Sequence, residues 1–183
     1  MSSTFSILGD EFINNDGEAV ALSELQGEGK LIAVYFSAHW CPPCRSFTPA
    51  WAKTYQALRT AGKPIECIFV SSDRSAGDFQ SYFSEMPWLA VPHGDKRGAA
   101  LMKRFNVQGI PSLVLINGAT GEVITTDGRR CVMADPNKGS GMPFPASTRE
   151  QASFIKETLD AKPAKKPSFI ARIFGGNRAA ASA

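Results

Sequence analysis

Cys41 and Cys44 stand three positions apart in SAHWCPPCRSFTP (37–49), with Pro42 and Pro43 between them, Trp40 before them and Arg45 after. A pair at this spacing either gives two thiolates to a metal or makes and breaks a disulfide. Structural zinc needs four ligands and usually takes its second half from another closely spaced pair. His39, His93, Cys67 and Cys131 are each isolated. The ligand count therefore favours redox chemistry, and no metal or cofactor is expected.

The elements around the pair say which sulfur reacts. LIAVYFS (31–37), IECIFVSS (65–72) and SLVLIN (112–117) are short apolar runs rich in β-branched and aromatic residues, as buried central strands should be. GEVITTDG (121–128) reads as a more exposed strand, NGATGE (117–122) as a hairpin turn and NNDGEAV (14–20) as the turn between two N-terminal strands. Phe47, Ala50, Trp51, Thr54, Tyr55 and Leu58 recur at helical spacing, as do Phe79, Tyr82, Phe83 and Met86, then Leu101, Met102 and Phe105. A capped last helix is expected over 147–160. The result is an α/β fold, a central sheet flanked by helices.

Cys41 then falls at the N-terminus of a long helix that follows a buried strand. Free backbone N–H groups and the helix dipole stabilise a thiolate there. Prolines are tolerated in a first turn. Lacking N–H groups, they leave the amides of Cys44 and Arg45 as the expected donors to the Cys41 sulfur. Cysteines so placed have pKa values of roughly 3.5–7.5 against about 8.5 when free. Cys41 is thus expected to be the exposed nucleophile, with Cys44, one turn on and facing inward, resolving the mixed disulfide. Pro49 is expected to kink the helix. Cys67, on a strand face with Ile65 and Phe69, reads as a small buried hydrophobe. Cys131 reads as passive or as a regulatory thiol, and Trp40 as packing or as a docking surface.

Composition bounds the rest. The 183 residues include 43% hydrophobic positions and 12 Phe, enough for one core. A compact monomeric domain is expected over 1–161, followed by a basic disordered extension at 162–183. That extension holds Lys162, Lys165, Lys166, Arg172, Arg178 and no acid. Its Phe169, Ile170, Ile173 and Phe174 would share a helical face suited to a membrane surface or partner groove, in a helix too short to be stable alone. The body is slightly acidic, which argues against a nucleic-acid partner. No apolar stretch approaches the roughly 18 residues of a membrane span, and the N-terminus shows no basic, apolar leader. Four cysteines are too few for a stapled scaffold. The expected compartment is reducing cytosol or nucleus.

GIPSLVLI (109–116) places Pro111 at the start of a strand, where a cis peptide after Ile110 would bring extended backbone near a neighbouring site. With strand–CPPC–helix, this resembles the thioredoxin superfamily. YFSAHWCPPCRSFTP, VSSDR, YFSEMPWLAVP, FNVQGIPSLVLIN, TGEVITTDGR and ADP are similar to its tryparedoxin and nucleoredoxin branch over roughly residues 5–145. The resemblance implies a thioredoxin fold with an N-terminal β-hairpin extension, and a proline loop that holds substrate in extended form. Where small thioredoxins place a buried aspartate this chain has Tyr35. The tryparedoxin pattern offers Asp73 instead, as proton relay, with N-cap of a helix over 75–85 as the alternative. Tryparedoxins carry WDE where Ser72, Asp73 and Arg74 stand here, so SSDR is closer to nucleoredoxins. Their FPW reads FPAS at 144–147, where another residue is expected to take over the tryptophan's packing.

The expected activity is reduction of protein disulfides, with Cys41, Cys44 and Asp73 catalytic and Trp40, Pro42, Pro43, Arg45, Ile110 and Pro111 forming the docking surface. The upstream dithiol reductant is a thioredoxin-reductase system, glutathione or trypanothione. The rival is a binding module that holds a partner on the same face without turnover.

Overall fold

In the computed structural model, residues 4–144 are described. They run α1 (Thr4–Leu8), β1 (Glu11–Ile13), β2 (Ala19–Ala21), α2 (Leu22–Leu25), β3 (Leu31–Ser37), α3 (Pro42–Thr60), β4 (Ile65–Ser71), α4 (Ala76–Phe83), β5 (Leu89–Ala90), α5 (Arg97–Arg104), β6 (Ser112–Asn117), β7 (Val123–Thr125) and α6 (Gly128–Ala134). The helix expected at 147–160 and the extension at 162–183 lie outside the described residues.

The sheet is mixed, in the order β2-β1-β5-β4-β3-β6-β7. β3 pairs in parallel with β4 and antiparallel with β6, with Tyr35 opposite Phe69 on one side and Leu113 on the other. All seven residues of β3 are buried, because helices cover both faces. The period-two alternation of the apolar strands sorts their side chains into two cores. Leu31, Ala33, Tyr35, Ile65, Cys67 and Phe69 face α3, α4 and α6, whereas Ile32, Val34, Phe36, Ile68 and Val70 face α1, α2 and α5.

The N-terminal hairpin forms as expected. Asn14 Oδ1 accepts from the amides of Asp16 and Glu18, and Gly17 takes φ 79° to complete the turn. The hairpin extends the sheet edge through the pairing of Ile13 with Ala90.

Four short elements escape sequence reading: α1, α2, β5 and α6, none longer than seven residues. One or two turns are too few to show a period. The helix carrying Phe79, Tyr82 and Phe83 stops before Met86, since Pro87 disfavours helical backbone at the residue before it. Met86 still packs into the same core. α3 continues through Pro49 to Thr60. Phe144, within FPAS, packs against the α3-side core with the Lys63 ammonium 5.7 Å from its ring centre.

Candidate active site

Cys41 is the N-cap of α3, and Pro42 and Pro43 occupy its first positions. Cys41 and Cys44 form a disulfide, with Cα atoms 5.2 Å apart. Two expectations are corrected here. The amides of Cys44 and Arg45 donate to the Cys41 carbonyl oxygen, at 3.0 and 3.1 Å, rather than to its sulfur. The N-cap carbonyl is already the first intrahelical acceptor, and a disulfide sulfur is neutral. Cys41 is also only 5% exposed, because Ala38 and Ile110 pack around the pair, and Cys44 is fully buried. Cys41 thus holds the outer position of the two.

The proline loop meets the pair from the start of the neighbouring strand β6. The Ile110–Pro111 peptide is cis, as the loop pattern suggests, and the Ile110 carbonyl oxygen lies 3.8 Å from Cys41 Sγ. This joins residues 69 apart in sequence. Beside the loop, a cavity of about 310 Å³ is lined by uncharged residues that include Val107, Gly109, Ser112 and Thr126.

On the other side, the segment after β4 holds the residues before Cys41. Asp73 Oδ1 accepts from the His39 amide at 2.7 Å, and Oδ2 accepts from the Ser71 hydroxyl at 2.7 Å. Asp73 is not the cap of α4: Ser75 is, its hydroxyl accepting from the Asp78 amide. The Trp40 indole N–H donates to the Ser72 carbonyl at 2.9 Å, and the Arg74 guanidinium sits 5.5 Å from the ring centre. Trp40 is nonetheless 51% exposed beside Cys41, so it is a surface plate and not core packing. Arg45, Pro42 and Pro43 are exposed next to it.

Beneath the pair lies a buried hydroxyl network. Thr48 Oγ1 is 3.0 Å from the Cys44 carbonyl, 2.7 Å from Tyr35 OH and hydrogen-bonded to Tyr82 OH, which is 3.1 Å from Ser37 Oγ. A carbonyl only accepts, so the single Thr48 proton goes to Cys44. Both phenols must then donate to Thr48, and Ser37 must donate to Tyr82. Every proton in the network is thereby assigned, and the chain points at the backbone of Cys44. Burial raises Tyr35 well above the ordinary phenol range, so Tyr35 stays neutral where a buried acid would titrate. Thr48, Ser37 and Tyr82 are missed from sequence, although Thr48 stands four residues after Cys44 and Ser37 is the polar end of an apolar strand.

The remaining thiols are held away from this chemistry. Cys67 is fully buried in β4, where the Trp51 indole N–H points at its sulfur from 3.4 Å and burial drives its thiol pKa up. Cys131 is partly buried on α6 and also raised, chiefly by burial, its Sγ directed at the Asp127 carbonyl at 3.7 Å. Among the described residues no group of three or more His, Cys, Asp or Glu could hold a metal, and no helix is long and apolar enough to cross a membrane.

Known proteins are similar to this chain in sequence and fold. Residues 29–123 match the family described as Thioredoxin-like. Mouse nucleoredoxin is 46% identical over 130 residues, covering 70% of this chain but 29% of the relative, so the chain spans less than a third of that protein's length. Tryparedoxin of Trypanosoma brucei brucei is 42% identical over 134 residues, covering 73% of this chain and 90% of the relative. A solved tryparedoxin II complexed with glutathionylspermidine superposes with a TM-score of 0.69 at 36% identity, covering 80% of this chain and all of that one. The disulfide at a helix start and the cis-proline loop facing it are thus set in a fold shared along nearly the whole tryparedoxin chain, and the protein belongs to the thioredoxin-like family.

Proposed function

We propose that the protein is a thiol–disulfide oxidoreductase that reduces disulfides in other proteins. One observation carries this reading: the Cys41–Cys44 disulfide closes the first turn of α3, with Cys41 outermost and facing the Ile110 carbonyl. In the reduced protein, the Cys41 thiolate attacks one sulfur of a substrate disulfide. That bond breaks, and the departing sulfur leaves as a thiolate and takes up a proton. Cys44 then gives up its proton, attacks Cys41 Sγ and releases the second substrate sulfur as a thiol. Two electrons and two protons have passed to the substrate, and the protein holds the disulfide seen in the structure. An external thiol reductant restores it. The likeness to a tryparedoxin complexed with glutathionylspermidine supports a thiol compound in that role.

Trp40, Pro42, Pro43, Arg45, Ile110 and Pro111 form the surface on which substrate docks. Asp73 acts through the loop it holds. Both of its oxygens are engaged by donors other than sulfur, which supports positioning of Trp40 and Cys41 over proton relay. The two free thiols, Cys67 and Cys131, suit a reducing compartment, the cytosol or nucleus.

Insulin reduction with dithiothreitol tests the reading. The expected result is acceleration over dithiothreitol alone. The half-exposed Trp40 also suits a module that only holds a partner, and no acceleration would favour that alternative.

A further inference from the structure

Three arginines stand around the redox pair. Arg45 lies in the first turn of α3, Arg74 stacks on Trp40, and Arg129 lies 5.5 Å from the ring centre of Phe47, three residues beyond Cys44. Arg129 reaches this place because α6 starts on the flank of β6. A Cβ on Gly128 would lie 2.7 Å from the Leu113 carbonyl, so only glycine lets the helix approach the strand that follows Pro111. All three arginines are exposed, and none has an ion-pair partner among the described residues, where the salt bridges are Arg59–Glu66, Arg97–Asp95 and Arg130–Asp127.

The carboxylates close by are occupied elsewhere. Asp73 is turned inward to His39 and Ser71, Asp78 accepts from Ser75, and Asp127 is held by Arg130. The proline-loop side, from Asn106 to Ser112, has no charged residue. Three exposed guanidinium groups without an ion-pair contact among the described residues therefore stand at this face, and they add to the positive end of α3.

We infer that this rim selects its substrates by charge: the preferred partner is a protein segment whose disulfide is flanked by aspartate or glutamate. The inference rests on the proposed reductase activity, whose chemistry it leaves unchanged. Carboxylates beside the scissile bond would seat against Arg45, Arg74 and Arg129 while the backbone lies along Ile110. Fields of this kind act mainly on encounter, and salt screens them over about 10 Å at 0.1 M.

The test uses three synthetic disulfide peptides identical except for the residues flanking the cysteines, which are aspartate, serine or lysine. Each is reduced by the full chain with dithiothreitol as electron source. The aspartate peptide is expected to exceed the lysine peptide in kcat/KM by about tenfold at low salt, with the ratio falling towards one in about 1 M NaCl. Arg74→Glu and Arg129→Glu should each lower the ratio several-fold. Lys53→Glu, the same change of net charge roughly 13 Å further along α3 than Cys44, should leave it unaltered. A ratio near one at low salt with brisk turnover of the serine peptide would overturn the charge selection alone. No turnover of any peptide would overturn the reductase reading beneath it. Equal effects of Arg74→Glu and Lys53→Glu would assign the preference to net charge and refute the rim.

Discussion

Two Trp–Cys neighbourhoods in this chain use the same residue types for opposite ends. At Trp40–Cys41 the indole is half exposed, its N–H goes to a backbone carbonyl, and the cysteine caps a helix. At Trp51–Cys67 the indole is fully buried, its N–H points at the sulfur, and the cysteine sits in the middle of a strand between two helix layers. A hydrogen bond from an indole favours a thiolate, yet burial outweighs it at Cys67 and drives the thiol pKa up. Placement in the fold, more than the neighbour's identity, sets one cysteine at a helix start beside a proline loop and seals the other in the core.

The sharpest way to break the contrast is to remove each sulfur. Cys41→Ser is expected to reduce insulin turnover to background, since no other described thiol is placed to attack. Cys44→Ser should keep the first attack and lose release. Mixed disulfides through Cys41 would then accumulate in cell extract and vanish with dithiothreitol on a non-reducing gel. Trapping by Cys41→Ser instead would reverse the assigned roles. Cys67→Ala should leave turnover in place.

Stability under the active pair gives the next largest effect. Thr48→Val removes the shared acceptor of two buried phenols and the hydroxyl donor to Cys44, and is expected to lower unfolding stability by about 2–3 kcal/mol. Ser37→Ala removes only the terminal donor of the same chain and should lower it by about 1 kcal/mol or less. Urea unfolding of both variants checks the proton assignment; equal losses would contradict it.

The buried thiol can be read through pH. Its folded pKa is raised above that of a free thiol, chiefly by burial. Its contribution is therefore fully present below the free thiol's pKa of about 8.5 and is lost as pH rises, because the unfolded chain releases the proton that the folded one keeps. Above pH 9 this one group should remove about 1.4 kcal/mol of stability per pH unit. Cys67→Ala should flatten the stability profile there by that slope, on top of any constant loss from the smaller side chain. A profile parallel to that of the unmodified protein would mean that the thiol ionises in the folded state.

The mildest expected effect is at the loop that holds Trp40. Asparagine at position 73 still offers Oδ1 to the His39 amide, so Asp73→Asn should slow turnover by no more than about threefold, whereas Asp73→Ala should slow it by about tenfold. A proton relay would make the two variants equally slow. The rate of Cys41 alkylation at mildly acidic pH, read beside turnover, tells whether the loop or the proton is affected.

Much of the frame was legible in the residues themselves. The strands at 31–37 and 112–117 have the bounds that their apolar runs suggest, and the strand begun at Ile65 ends one residue early. The short elements were not legible, because α2 and β5 are formed by packing at a sheet edge and carry too little pattern of their own. Asp73 was legible as a residue of interest but not in its contacts. Its proximity to helix α4 suggested a cap, whereas Ser75, two residues on, has the extended backbone and a hydroxyl oxygen aimed at the Asp78 amide, as a cap needs.

Sequence alone determined what local order can encode. An alternating apolar run chooses the two faces of a strand, and two prolines after a cysteine choose a helix start with a sulfur on it. Only the tertiary structure decided what lies against that sulfur. The order of strands in the sheet sets the Ile110 carbonyl beside Cys41 across 69 residues of chain. Packing by Ala38 and Ile110 leaves Cys41 almost covered, and the approach of α6 to Leu113 carries Arg129 to the same face. Periodicity is a property of neighbours along the chain, whereas these contacts follow from which elements stack on which, and that is settled by burying both faces of the sheet at once.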